Sequence, residues 1–332
     1  MFSQKKTSKS IIKITDTHIS YLTLVKNKFG FFIDNHEMID LPEGIIVRGE
    51  ILKADVFSNI IKKMKKHFSN TLVDVILPHD YFLCKDGILD TEDTSKDIKK
   101  RIKEYFKGLS KTEDWQRTHV CEFDAFSLGK HETVLFRCLP KDVQKSYVHV
   151  LKKSGLKIQS INSELLAYGH LFPDDQVSMI HLGEKRTRVI DFKKGMYTGH
   201  KTFALSYEQL HQDIMKNVSL EKDEAEKILN KYGVLRTHKD PQVYARLMRS
   251  LTPLLEFFKK RKNKKTMRTI VTFDNMPVLG LADHVSHATH TSVENLNLFA
   301  LPKYLFQDIL TLHKNDSYQY QSHIAQALEY FK

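Results

Sequence analysis

The chain has 332 residues, 41% of them hydrophobic and 10% aromatic, and a formal net charge of +12. This composition excludes a disordered chain. With no apolar run of about 18 residues it also excludes a transmembrane helix. The basic start MFSQKKTSKS has no apolar core, so it is read as a mobile tail over 1–9 and not as a secretory leader. The cations are spread along helical stretches such as IIKKMKKHF (60–68) and KDIKKRIKEYFKG (96–108), with no nucleic-acid motif beside them. They read as solvated surface with a weak attraction to anionic lipid, not as a nucleic-acid interface. Cys84, Cys121 and Cys138 are an odd set without CxxC spacing and are expected to be reduced, mostly buried thiols of a cytosolic protein.

In chain order, Ser10 to Phe32 alternates apolar and polar residues around turns at Thr15–His18 and Asn27–Gly30, which predicts a three-strand meander. In LPEGIIVRGEIL (41–52), Pro42 and Gly44 make a turn and IIV a short strand. Arg48-Gly49-Glu50 then turns into a helix over 53–68. Val56, Ile60, Ile61, Met64 and Phe68 are spaced to form its buried face. TLVDVILP (71–78) reads as a strand buried on both sides and ended by Pro78. Residues 84–160 read as a small α/β unit of their own. It has a helix at 96–107 started by Thr91–Ser95, and strands HVCEFDAFSL and ETVLFRCLP joined at Gly129-Lys130. A helix at 141–154 follows, with Val143, Tyr147, Val150 and Leu151 on one face and Gly155 closing it. A strand and a short helix then lead to Pro173-Asp174-Asp175.

Val177 to Thr198 repeats the opening pattern: strand, turn at Leu182-Gly183-Glu184, strand, turn at Lys194-Gly195, return. Two such meanders predict a duplicated architecture, two related domains facing each other. Beyond it, Tyr207–Val218 reads as a helix, and Ser219 caps another with Asp223 and Glu224 in its first turns. Residues 240–263 are helical again, with Pro253 expected to start a new helix behind a Thr252 cap. KKRKNKK (259–265) is a basic connector, RTIVTF (268–273) a strand, VLGLADHVSH a helix and SHIAQALEYFK a terminal helix. Asp283, His284, His287 and His290 form the best His cluster. They are read as a surface helix and its loop, so no metal is expected.

This order of elements resembles the actin-like ATPases, an α/β, ribonuclease H-like duplicated fold of two large subdomains, each with a small inserted subdomain. More narrowly it resembles the PilM family of type IV pilus inner-membrane assembly proteins, with FtsA as a relative. The stretches that carry the likeness are LPEGIIVRGEIL, VDVILPHDYFL, LPKDVQKSYVHVLKKSGLKIQSINSELLAYGHLF, LGEKRTRVIDFKKG and SLEKDEAEKILNKYG. It implies a first large subdomain from 10–83 and 161–176, with 84–160 inserted. The second large subdomain is then 177–207 and 266–305, with 208–265 as its helical insertion, and 306–332 returns to the first half.

The family's nucleotide loops depart here. Lys13 and Thr15 stand where an Asp and a Gly belong, with Asp16 beside them. His181 stands for the second Asp, leaving Gly183 and Thr187, with Lys185 and Arg186 at the tip. Ser206 and Tyr207 replace a glycine pair, and Thr272-Phe273-Asp274-Asn275 replaces the adenosine glycines. Glycines let backbone amides approach phosphate, and carboxylates hold hydrated Mg²⁺. The expectation is therefore a pseudo-ATPase with no cofactor, ATP and Mg²⁺ being the family's ligands. The resemblance implies a cytoplasmic scaffold at the inner membrane of a pilus or secretion system. It implies docking of the N-terminal peptide of a PilN-type bitopic membrane protein in a groove framed by strand 71–78 with Pro78, by Tyr81, Phe82 and Leu83, and by the inserted unit near 120–151, with the pilus motor ATPases as further partners. The alternative is an active ATP-binding protein, FtsA-like or GspL-like. FtsA-type chains carry a further membrane helix, and this sequence stops at its last fold helix, which favours the PilM reading.

Overall fold

The computed structural model describes residues 7–68, 71–89, 95–109, 118–128, 131–218, 221–234, 241–261, 267–274, 277–298 and 319–331. The chain divides into two compact units, Met1–His170 with Ser322–Lys332, and Leu171–Gln321.

The first unit opens with β1 (Thr7–Ile14), β2 (His18–Asn27) and β3 (Gly30–Asp40), an antiparallel meander. β1 begins at Thr7, so the last residues of the expected tail belong to the sheet. The short β4 (Ile46–Val47) and β5 (Glu50–Ile51) pair as a tight hairpin before α1 (Ala54–Met64). β6 (Leu72–Leu77) lies parallel to β1, in the register Ile12 to Val75. Next come β7 (Leu83–Leu89), α2 (Ser95–Leu109), β8 (His119–Leu128), β9 (His131–Pro140) and α3 (Lys141–Lys153). β10 (Lys157–Ser163) and α4 (Glu164–Ala167) complete the run. The large sheet has the order β10-β6-β1-β2-β3 and a smaller one the order β7-β9-β8.

Ile12, Ile14, Val73 and Val75 are fully buried under Phe57, Ile61 and Met64 of α1 and Tyr147, Val150 and Leu151 of α3. Each such aliphatic side chain removed from water is worth about 1.5–3 kcal/mol. The expected buried face of α1 is corrected at Val56, which is 44% exposed, while Phe57 takes its place in the core. Phe57, Ile61 and Met64 recur at i, i+4 and i+7, and Val56 lies beside that row.

The second unit repeats the scheme. β11 (Gln176–Leu182), β12 (Thr187–Lys193) and β13 (Met196–Phe203) are antiparallel. α5 (Tyr207–Val218), α6 (Lys222–Tyr232) and α7 (Pro241–Lys260) precede β14 (Arg268–Phe273), which lies parallel to β11. α8 (Leu281–Thr289) and β15 (Val293–Asn295) close the sheet in the order β13-β12-β11-β14-β15. Read from its meander outward, each large sheet has three antiparallel strands followed by two parallel ones, which is the duplication made explicit. The last helix, α9, is Gln321–Tyr330. Among the described residues no helix is long and apolar enough to cross a membrane.

Two helix expectations are corrected. Glu221, without a side-chain hydrogen bond, is the N-cap of α6, and Ser219 lies outside the described residues. α7 runs through Pro253 as one helix. An interior proline costs about 3 kcal/mol. Leu247, Leu251, Leu254 and Phe258 are all buried on one face across the proline, and that burial outweighs the lost bond. Thr252 does not cap; its hydroxyl donates to the Met248 carbonyl at 3.0 Å within the same helix.

The cysteines are a further correction. Cys121 of β8 and Cys138 of β9 sit directly opposite each other and form a disulfide, leaving Cys84 as a free thiol. Sequence spacing is silent on this pair, because a cross-strand bond needs hairpin register and no motif.

Candidate functional site

The β1–β2 turn is built to satisfy itself. The Thr15 hydroxyl oxygen accepts from the Thr17 amide at 3.2 Å and the His18 amide at 3.0 Å, so both donors turn inward. Asp16 projects from the same turn, and its carboxylate accepts the amides of Arg48 (3.0 Å) and Gly49 (3.1 Å) at the tip of the β4–β5 hairpin. Arg48 and Gly49 have φ of 50° and 83°, the left-handed pair that aims both amides one way. The Tyr81 hydroxyl donates to the same carboxylate. Gly49 is required there, since a Cβ would stand 2.9 Å from the Tyr81 ring. Burial, then the hydrogen bond to Asp16, pushes the Tyr81 phenol well above its usual range. Lys13, 3% exposed on β1, forms an ion pair with Glu164 of α4, itself 6% exposed.

The β11–β12 turn of the second unit has different chemistry. Asp274, just past β14, accepts from the Glu184 amide at 3.3 Å and lies 3.1 Å from His181 Nε2. Its own amide donates to the Leu182 carbonyl at 3.2 Å. Gly183 is wedged beside it: a Cβ would lie 2.8 Å from both the Arg186 carbonyl oxygen and Asp274 Oδ2. Thr187 and Phe273 are buried, and Lys185 and Arg186 are exposed at the tip. The Ser206 hydroxyl accepts the Gln209 amide at 3.0 Å and caps α5. The Tyr207 amide donates to the Gly183 carbonyl at 3.0 Å, and its hydroxyl donates to Asn230 at 3.0 Å, with burial pushing the phenol up to about 12. Asn275 lies outside the described residues.

A third feature lies wholly in the first unit. A cavity of about 240 Å³ runs between β8 and β10, the outermost strands of their sheets. Gln144, Val148 and Lys152 of α3 line it at i, i+4 and i+8. Ile158 to Ile161 of β10 form one wall. Val120 and Glu122 of β8 with Arg137 and Leu139 of β9 form the other, and Phe82 joins them. The β10 wall is braced from behind, where Ser160 donates to Asp74 at 2.8 Å and Asp74 pairs with Lys9 at 2.9 Å. Of the four residues expected at a groove, Phe82 lines this one. Tyr81 is engaged with Asp16, Leu83 packs beside Ile98 and Ile102, and Pro78 precedes a short 3-10 turn. The expected stretch 120–151 supplies Val120, Glu122, Arg137, Leu139, Gln144 and Val148; Lys152 and the β10 wall were missed, and nothing in their spacing marks them.

No family model and no curated protein matches the sequence. Among solved structures, the PilM-PilN type IV pilus biogenesis complex is similar over 98% of this chain and 98% of that chain, with TM-score 0.75 and 12% identity. The ethanolamine utilization protein EutJ from Carboxydothermus hydrogenoformans is similar over 98% of this chain and 90% of that chain, with TM-score 0.52 and 11% identity. MreB 5 of Spiroplasma citri bound to AMPPNP is similar over 98% of this chain and 96% of that chain, with TM-score 0.52 and 8% identity. At such identities the likeness concerns the path of the backbone, and with the two matching sheet orders it gives the conclusion that this chain has the duplicated α/β fold of the actin-like ATPases.

Proposed function

We propose that this chain is a non-catalytic, cytoplasmic scaffold of a type IV pilus or related secretion platform, which docks the N-terminal peptide of a PilN-type bitopic membrane protein in the groove between β8 and β10. The observation that carries this reading is the groove itself. It is a slot of mixed lining, in which Phe82, Val120, Leu139, Val148, Ile158 and Ile161 alternate with polar and charged residues such as Glu122, Arg137 and Lys152, flanked by two outermost strands. An extended peptide can add its backbone to a strand edge and place alternate side chains in such a slot. The likeness to the PilM-PilN complex structure supports the same partner class. Contacts with motor ATPases or anionic lipid would lie elsewhere on the surface.

The loops support the non-catalytic part. An ammonium, Lys13, is paired with Glu164 where a hydrated metal needs carboxylates, and the Thr15 hydroxyl draws in the turn amides that a phosphate would use.

Titration calorimetry with the N-terminal cytoplasmic peptide of a PilN-type protein tests the docking. Binding is expected, with a negative heat-capacity change from apolar burial and its loss in Val148→Arg. Absence of binding to the wild-type chain overturns it. Magnesium-dependent ATP turnover above a protein-free blank would instead establish the ATPase reading.

A further inference from the structure

We propose that the Cys121–Cys138 disulfide is a redox control on the groove, holding its β8 wall in docking register when oxidised and releasing it when reduced. This rests on the reading of the groove as a peptide site and adds its regulation.

The register carries the argument. The cysteines face each other across β8 and β9, and the pairs on either side are Val120 with Leu139 and Glu122 with Arg137. All four flanking residues line the groove. Because side chains alternate along a strand, the disulfide lies on the reverse face of the wall that these four present. There it joins the cluster of Ile98, Ile102, Phe136 and Leu83. Glu122 and Arg137 are further joined by hydrogen bonds of 2.9 Å and 3.2 Å. Among the described residues β8 is the outermost strand, hydrogen-bonded to β9 alone, so one covalent cross-link stands directly behind the groove contacts of a strand with one neighbour. Such strands are the first to open locally.

The chemistry balances with a dithiol reductant. Its thiolate attacks Cys121, the more exposed of the pair since Cys138 is fully buried. The S–S bond breaks, Cys138 leaves as thiolate and takes a proton, and the second reductant thiol closes on the first. The products are a cyclic disulfide and two protein thiols. Cys84 does not interfere. It pairs with Arg137 in register, hence on the other face, and burial pushes its thiol up to about 12.

Two measurements on the full chain, oxidised or treated with dithiothreitol, test this. Hydrogen exchange is expected to quicken several-fold in 119–122 on reduction; unchanged exchange there overturns the proposal. Anisotropy with a labelled N-terminal peptide of a PilN-type protein is expected to show about tenfold weaker binding to the reduced chain, the loss that comes with a less preorganised site. Cys84→Ser should respond to dithiol as the wild type does, and Cys121→Ser with Cys138→Ser should bind weakly in either condition. Equal binding to both redox forms overturns the control and leaves docking intact. Binding to neither form overturns the docking reading, and the exchange measurement still decides whether the cross-link holds the wall.

Discussion

The two hairpin turns that open the large sheets occupy the same place in the same topology, yet they are stabilised by opposite means. In the first unit the penultimate residue of β1 is a buried cation, Lys13, held by Glu164. In the second the penultimate residue of β11 is His181, beside the partly buried carboxylate of Asp274. The first turn also exports Asp16 to anchor the β4–β5 hairpin, while the second imports Asp274 to accept its Glu184 amide. A fold therefore fixes where two turns stand and leaves open which charge fills them. What each turn can bind follows from side chains, not from topology.

The sharpest way to break this comparison is at Glu164. Glu164→Ala takes a carboxylate partner from the buried Lys13 ammonium, and should destabilise the first unit by about 3–5 kcal/mol. Lys13→Met with Glu164→Leu should recover most of that loss. Chemical denaturation followed by probes in each unit checks both; equal loss in the two units would sink the idea that the pair serves one half. Next, Gly183→Ala should strike the second unit alone, by about 2 kcal/mol, because the new methyl overlaps the Arg186 carbonyl and Asp274. Gly183→Ala in an Asp274→Gly background should cost less, and a double-mutant cycle reads the coupling.

Tyr81→Phe removes one donor to the ionised Asp16 and should cost about 1.5 kcal/mol. The same change at Tyr207 breaks a bond to a neutral amide, Asn230, and should cost less. A larger loss at Tyr207 would reverse the ranking of the two turns. The last effect is graded with pH. Burial, then the charge of Lys13, lowers His323 from 6.5 to about 3. Between those values the unfolded chain binds the proton and the folded one does not. Stability is therefore whole above pH 6.5 and should fall by at most about 1.4 kcal/mol per unit as pH drops towards 3. His323→Gln should flatten that slope in an acid titration of unfolding.

Much of the fold was legible because its signals are local. The period of two and the turn residues of Ser10–Phe32 and Val177–Thr198 give both meanders, and the duplication follows from their repetition. What escaped reading was non-local. The partners of Asp16 are backbone amides of Arg48 and Gly49, and no periodicity shows that a non-glycine residue there takes positive φ. Pro253 reads as a break because sequence shows its missing donor and not the leucines that hold the helix across it. Tyr81 and Asp16 were expected in two different sites, and their hydrogen bond joins them in one. The groove was expected between 71–83 and the inserted unit near 120–151, but its β10 wall depends on packing between segments far apart in sequence.

The return of α9 to the first unit bears on the order in which a ribosome can finish this protein. His323, fully buried, meets the Ser20 hydroxyl at 3.1 Å, and Lys26 donates to the Phe331 carbonyl at 3.3 Å. The first unit is thus begun first and completed last, while residues 171–321, threaded between its two pieces, can fold as they emerge. During synthesis the nascent chain carries an open β1–β2 surface awaiting its final helix. A chain stalled before α9 would present that surface, with Ile11 and Leu22, to chaperones and proteases.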